Sequence, residues 1–230
     1  ITEGLVGSEM CIRDRDRVGV QMFLRGRYLS DCYTTMAPTT DRHRVLHDTV
    51  TKILQMRQPE GVKKDMIEYT LRPPKNHLTE CTRNDLITFP NNVIKLKDYY
   101  VNAFVEVVHE TDINAFFITE KTIRPILFKR PFITMGCKNF MTNLQKLGFK
   151  TFDEWFDERY DQADGFKRYD LILRRLKAIG DKSHEELSRI NVQMQETCEH
   201  NFQHLINKGW VKHLDEFDVQ FWHDGKGQLL

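Results

Sequence analysis

The run Thr119-Glu120-Lys121-Thr122 sets a carboxylate beside an ammonium and flanks the pair with two hydroxyls. It follows the apolar stretch Asn114 to Ile118 and precedes residues with helical spacing. A helix amino-terminus presents free backbone amides and the positive end of the helix dipole, and both favour anions such as phosphate. Lys121 adds a mobile positive charge, Arg124 a second cation one turn on, and Thr119 and Thr122 add hydroxyl donors. Glu120 suits either a partner for the dipole or an acceptor for sugar hydroxyls. A plainer reading stands beside this one: Thr119 caps a solvated first turn and nothing binds there.

Placement favours the ligand reading. In open parallel sheets, ligands bind beyond the carboxyl ends of strands, where strands give way to helices. A second strand candidate ends in "VVHET", so His109, Glu110 and Thr111 would enter the same crevice. The alternative for them is an ordinary polar loop. Asp41-Arg42-His43-Arg44 opens an earlier helical segment, and Arg42 and Arg44 can offer two guanidinium forks to a phosphate or carboxylate. His43, His109 and Glu110 are the candidates for a general base. The pairs His43/His47 and His200/His204 share the i,i+4 spacing of zinc ligands but lack a third ligand and the Glu of His-Glu-x-x-His. "GDKS", Gly180 to Ser183, imitates the end of a phosphate-binding loop and reads better as a helix stop followed by a new cap. "DEWFDERYDQADG" is acidic and aromatic; its rings can pack while its carboxylates face water.

The elements that must position these groups follow from periodicity. Val18 to Leu24 reads as a short strand, and Val45, Leu46, Val50, Ile53 and Leu54 have helical spacing up to Pro59 and Gly61. Residues 57–98 are hard to read, with "RPPKN" as a turn and "LITFPNNVIKL" holding one or two short strands. Asn102 to Glu110 is a β-branched strand, and Asn114 to Ile118 a second apolar run. Glu120 to Lys129 follows as a helix with Pro125 inside it, which should kink or shorten it. "PFITM" is a buried strand ending at Gly136, Phe140 to Leu147 a helix stopped by Gly148, and "FKTF" one more strand. Strands alternating with helices through short joints predict a parallel α/β sheet. Beyond Asp153 the chain is helical: Tyr169, Ile172, Leu173, Leu176 and Ile179 line one face, and Ser183 with Glu186 forms a capping box for a helix through about Ile206.

Composition narrows the function classes. Lys and Arg number 34 against 33 for Asp and Glu, so nothing in the charge suggests a general nucleic-acid or membrane binder. No apolar run approaches the roughly 20 residues of a spanning helix. Five scattered cysteines, without a Cys-x-x-Cys pair, read as reduced thiols of a cytoplasmic protein. Leu5 to Arg15, "LVGSEMCIRDR", resembles the translation of a transposon-type sequencing adapter found in metagenomic reading frames. On that reading residues 1–16 lie outside the fold, the Asp14-Arg15-Asp16 likeness to a metal motif is discarded, and the natural amino-terminus is missing.

"FITEKTIRPILFKRPFITMG" resembles the donor-binding half of GT-B glycosyltransferases, and in particular the alpha-1,3-type fucosyltransferases. Ile118-Thr119-Glu120-Lys121 matches the aliphatic-Thr-Glu-Lys part of their motif, and Pro131 to Gly136 resembles the Pro-led strand after it. The run from Ala103 to Asp161 also looks like a group of phage and marine-metagenome proteins. The helix between the two parts is shorter here than in the fucosyltransferases and carries Pro125. The resemblance implies an α/β, Rossmann-like parallel sheet, the GT-B-like carboxyl-terminal half, followed by carboxyl-terminal helices. Residues 17–98 would then be a remnant of the acceptor-side half, 99–165 the nucleotide-sugar-binding core, and 166–230 the helices. It implies transfer of a sugar from a nucleotide diphosphate sugar to a hydroxyl acceptor, with Glu120 and Lys121 on the nucleotide or sugar and no metal or other cofactor. The competing expectation is a non-catalytic α/β accessory or structural module of a phage or bacterium.

Overall fold

The computed structural model describes residues 3–7, 32–34, 51, 54–55, 60, 63–64, 67, 96–110 and 115–208. Within them the chain is α/β. Strand β1 (Glu3–Gly7) and β2 (Cys32–Thr34) join β3 (Ala103–His109) and β4 (Phe132–Met135) in one parallel sheet of order β2-β1-β3-β4. Helix α1 (Lys97–Asn102) leads into β3, and α2 (Glu120–Leu127) crosses from β3 to β4. Helix α3 (Phe140–Lys146), a 3-10 turn (Glu158–Gln162), α4 (Gly165–Gly180) and α5 (His184–Asn207) follow. Three residues of the adapter-like segment, Leu5 to Gly7, belong to β1, which lies beside β3 in the sheet.

The β3–α2–β4 unit is the part that carries the candidate site. Every residue of β3 and β4 is buried, as a strand covered on both faces must be. Parallel pairing sets Glu106 beside Phe132 and Val108 beside Thr134. Helix α2 starts where Thr119 accepts a hydrogen bond from the Lys121 amide at 3.2 Å, as the cap pattern predicts. It ends earlier than the predicted Lys129. Pro125 cannot donate to the Lys121 carbonyl, and the helix closes two residues later. Lys129 takes the left-handed conformation (φ 50°), while Arg130 N donates to Pro125 O at 2.8 Å and Lys129 N to Ile126 O at 3.1 Å. That is the Schellman arrangement with lysine where glycine is usual. The Lys129 side chain is held by Glu199 at 2.6 Å and lies 4.5 Å over the Phe202 ring, which ties the end of α2 to α5.

Two expected strands do not form. Ala115 to Ile118 joins no ladder: Phe116 packs edge-on against Phe140, 5.1 Å between ring centres, while Phe117 stays exposed. The "FKTF" segment joins no ladder and pairs with a side chain. Asn201 of α5, fully buried, accepts from Lys150 N at 2.7 Å and donates to Lys150 O at 2.9 Å. A single carboxamide thus occupies both backbone groups that a neighbouring strand would have taken. Helices α4 and α5 run as the stripes predict, and Ser183 with Glu186 forms the reciprocal capping box. Ile172, Leu176, Leu187, Met194 and Leu205 join the rings of Phe132, Phe152 and Phe156 in one core. Gly148 (φ 98°) stops α3, and a Cβ there would meet His204 at 2.6 Å. The helix Lys97–Asn102 had no counterpart in the sequence reading. Thr51, Leu54 and Gln55 are helical, in keeping with the expected segment from Val45; the strand expected at Val18 to Leu24 and those around Pro90 lie outside the described residues.

Candidate functional site

Alternation along a strand decides which groups share a face. Glu106 and Glu110 stand four residues apart on one side of β3, and His109 points to the other. Glu110 continues the ladder just past the strand, its amide donating to Met135 O at 3.0 Å. Its buried carboxylate closes on the first turn of α2. Oε2 accepts from the Thr119 hydroxyl at 2.6 Å, while Oε1 accepts from the Thr122 hydroxyl at 2.5 Å and the Thr119 amide at 3.2 Å. The sequence placed Glu110, Thr119 and Thr122 in one crevice, and they meet. They meet as partners of one another: the acid of the strand end takes the hydroxyl and amide donors that were expected to serve a ligand.

Lys121 and Glu120 behave differently. The Lys121 ammonium is held by Glu120 Oε1 at 2.5 Å, with the lysine side chain 5% exposed and the glutamate 35% exposed. Burial alone would raise the Glu120 carboxyl, but the Lys121 hydrogen bond and charge, with Arg124 beyond, outweigh it and hold it below the usual carboxylate range. The carboxylate therefore stays ionised over a neighbouring cation. This is the outer, solvent-reaching edge of the cluster.

Arg124 does not face that edge. It is buried, with Nη2 3.7 Å from Glu106 Oε1, while the Tyr100 hydroxyl donates to Glu106 Oε2 at 2.5 Å. Burial pushes Glu106 up to about 7, Arg124 and the Tyr100 hydrogen bond oppose that, and Glu110 adds to it. Burial, then the Glu106 charge, raises the Tyr100 phenol well above its ordinary value. The expectation that Arg124 would serve a phosphate gives way to a structural brace between α2 and β3. His109 is likewise separated from Glu110 by the thickness of the sheet, so the two are not neighbours in one pocket. Arg42, His43 and Arg44 lie outside the described residues.

A second strand end, β4 into α3, is also closed by the chain itself. Asn139 is left-handed (φ 62°) and provides no side-chain cap. The buried Asp161 carboxylate supplies one from the 3-10 turn, accepting from Met141 N at 2.8 Å and from Thr142 N and Oγ1 at 3.1 and 2.9 Å. Arg168 of α4 donates to the carbonyls of Gly136, Tyr160 and Asp161 and so fixes that turn to the end of β4. The sequence set the carboxylates of this acidic segment in water; Asp161 is buried instead, and it and Arg168 went unmarked because nothing local signals a cap supplied from 20 residues away.

The chain matches no protein-family model, and no curated protein or solved structure matches it. His200 and His204 are committed to backbone: their Nε2 atoms lie 3.0 Å from Gly148 O and 2.7 Å from Leu147 O. Their rings stack 6.0 Å apart and nearly parallel, a poor arrangement for converging on one ion. Among the described residues no group of three or more His, Cys, Asp or Glu is placed to hold a metal, and no helix is long and apolar enough to cross a membrane. What the site offers chemically is one cation–anion pair, Lys121 with Glu120, mounted on a helix start that Glu110 locks to the sheet.

Proposed function

We propose that the chain binds a nucleotide diphosphate sugar at the start of α2 and transfers the sugar to a hydroxyl acceptor, as the resemblance to the GT-B donor-binding half implies. One observation carries the reading: a largely buried Lys121 ammonium, neutralised by the more exposed Glu120, at a strand-to-helix crossing of a parallel sheet. An arriving diphosphate replaces Glu120 at the ammonium. Glu120, released and ionised, is then free to accept hydrogen bonds from a ribose or sugar diol. Lys121 and the positive end of α2 stabilise charge that builds on the diphosphate as the glycosyl bond breaks. Thr119, Thr122 and Glu110 hold the turn in place, and Arg124 braces it from below. Neither Glu110, buried and engaged by three donors, nor His109, on the other face, is offered as the base.

The experiment is a thermal-shift and equilibrium-binding series on the full chain with UDP, GDP, CMP, dTDP and ADP, for the native sequence, Lys121→Met and Glu120→Ala. One nucleoside diphosphate should raise Tm, Lys121→Met should abolish the rise, and Glu120→Ala should weaken nucleotide binding while leaving inorganic pyrophosphate unaffected or bound more tightly. Failure of every nucleotide to bind a folded native chain rejects the reading.

The same geometry favours a second reading, a structural α/β module without catalysis. Glu110 and Asp161 occupy the starts of both α2 and α3 with the chain's own carboxylates, where an anionic ligand would otherwise sit. In that case no nucleotide binds, and Lys121→Met changes stability alone.

A further inference from the structure

The face of β3 turned to α2 buries two carboxylates, and their surroundings are unequal. Glu110 accepts three hydrogen bonds, at least one on each oxygen. Glu106, 1% exposed, has one short hydrogen bond, from the Tyr100 hydroxyl of α1. Its Oε1 receives none and faces the Arg124 guanidinium of α2 at 3.7 Å, beyond hydrogen-bond reach. Glu110 adds a like charge along the strand; the paired residue on β4 is the uncharged Phe132, and that on β1 is Leu5. A carboxylate shut off from bulk solvent, with one oxygen that accepts no hydrogen bond and a cation at arm's length, is poorly compensated as an anion.

We infer that Glu106 is a proton-binding site whose charge state, read by Arg124, sets the balance of the Glu120–Lys121 pair one turn away. With Glu106 ionised, Arg124 is held toward it at 3.7 Å, and only the field of the guanidinium reaches Glu120, on the preceding turn of α2, where it helps keep that carboxyl low. When Glu106 takes up a proton, Arg124 turns its attraction toward Glu120 and loosens that carboxylate from Lys121. Lys121 becomes more available to an anion. Geometry places the group, and burial pushes it to about 7, so the exchange falls within the neutral range. The folded chain favours the protonated form, so the stability linked to Glu106 is fully present below the ordinary glutamate value and is lost as pH rises through about 7. The coupling does not depend on whether the ligand is a nucleotide.

The test is a carbon-13 titration of glutamate carboxyls in the full chain from about pH 5 to 9, with amide shifts followed in parallel. One carboxyl should titrate near neutrality and be missing in Glu106→Gln. The amides of Glu120 and Lys121 should shift with the same midpoint and lose that transition in the variant. Tyr100→Phe removes a hydrogen bond that favours the ionised form, so it should move both midpoints upward together, and it serves alone if Glu106→Gln does not fold. Glu158 is also pushed up to about 7, chiefly by burial, and its signal is the one that survives Glu106→Gln. No carboxyl lost in Glu106→Gln, or Lys121 amide shifts that ignore Glu106 or fail to follow Tyr100→Phe, overturns the inference.

Discussion

Replacing Glu110 tests whether the start of α2 is held by the strand end. The carboxylate accepts three hydrogen bonds, from the Thr119 amide and from the Thr119 and Thr122 hydroxyls, in a site 5% exposed. In Glu110→Ala both hydroxyls can turn to other acceptors, and Thr122 can bond back to a carbonyl of the preceding turn. The Thr119 amide cannot turn, so it is left buried without its acceptor, at a cost of ~1–3 kcal/mol. The space vacated by the carboxylate and its methylenes adds ~1–2 kcal/mol by comparison with other large-to-small changes. Removing a desolvated charge gives some of this back, so the net loss is ~3 kcal/mol. Glu110→Gln keeps the volume, accepts the Thr119 amide through its oxygen and donates to Thr119 Oγ1 through its nitrogen; it should lose only ~1 kcal/mol. Urea unfolding followed by circular dichroism measures both, with an unchanged m-value as the check that only stability moved. At ~2–4 °C per kcal/mol for a domain of this size, the alanine variant should melt ~6–12 °C below the native chain. Equal stability of Glu110→Ala and the native chain would refute the argument that this carboxylate is the anchor of α2.

Asn201→Ala removes both partners of Lys150 and should cost ~2–4 kcal/mol by urea unfolding, whereas Asn201→Asp still accepts the Lys150 amide but sets oxygen against the Lys150 carbonyl. The aspartate variant should therefore recover stability as the pH is lowered and its carboxyl protonates; no pH dependence beyond that of the native chain would count against the carboxamide clasp. Glu158 is raised from 4.5 to about 7 mainly by burial, so the stability it contributes is full below about 4.5 and is lost as pH rises through about 7. The drop in Tm between about pH 5 and 7 should therefore be smaller in Glu158→Gln than in the native chain.

Local signals were legible and distant ones were not. The Thr119 cap, the Ser183–Glu186 box and the strand at Ala103–His109 each depend on residues within a few positions, so the sequence announces them. The fate of "FKTF" depended on Asn201, 51 residues away, which supplies in one side chain what a strand would have supplied in backbone. No periodicity records that substitution. Glu106 went unmarked for another reason: nothing local separates a polar residue among valines on a solvent face from one that α1 and α2 enclose with Tyr100 and Arg124. Thr119, Glu120, Lys121 and Thr122 were found by type and spacing. Their division of labour, with hydroxyls turned inward to Glu110 and a buried Lys121 covered by the more exposed Glu120, required the packing of α2 on β3.

The grip of α5 on the end of α3 has a consequence for how the molecule opens. Asn201, His200 and His204 between them hold the Lys150 amide and the carbonyls of Leu147, Gly148 and Lys150. All of these contacts sit on one helix, so they break together when it lifts and not one by one. The Lys150 amide, though on an exposed residue, should then exchange its hydrogen with solvent as slowly as the core of α5 opens, and the two segments behave as a single cooperative unit in native-state exchange.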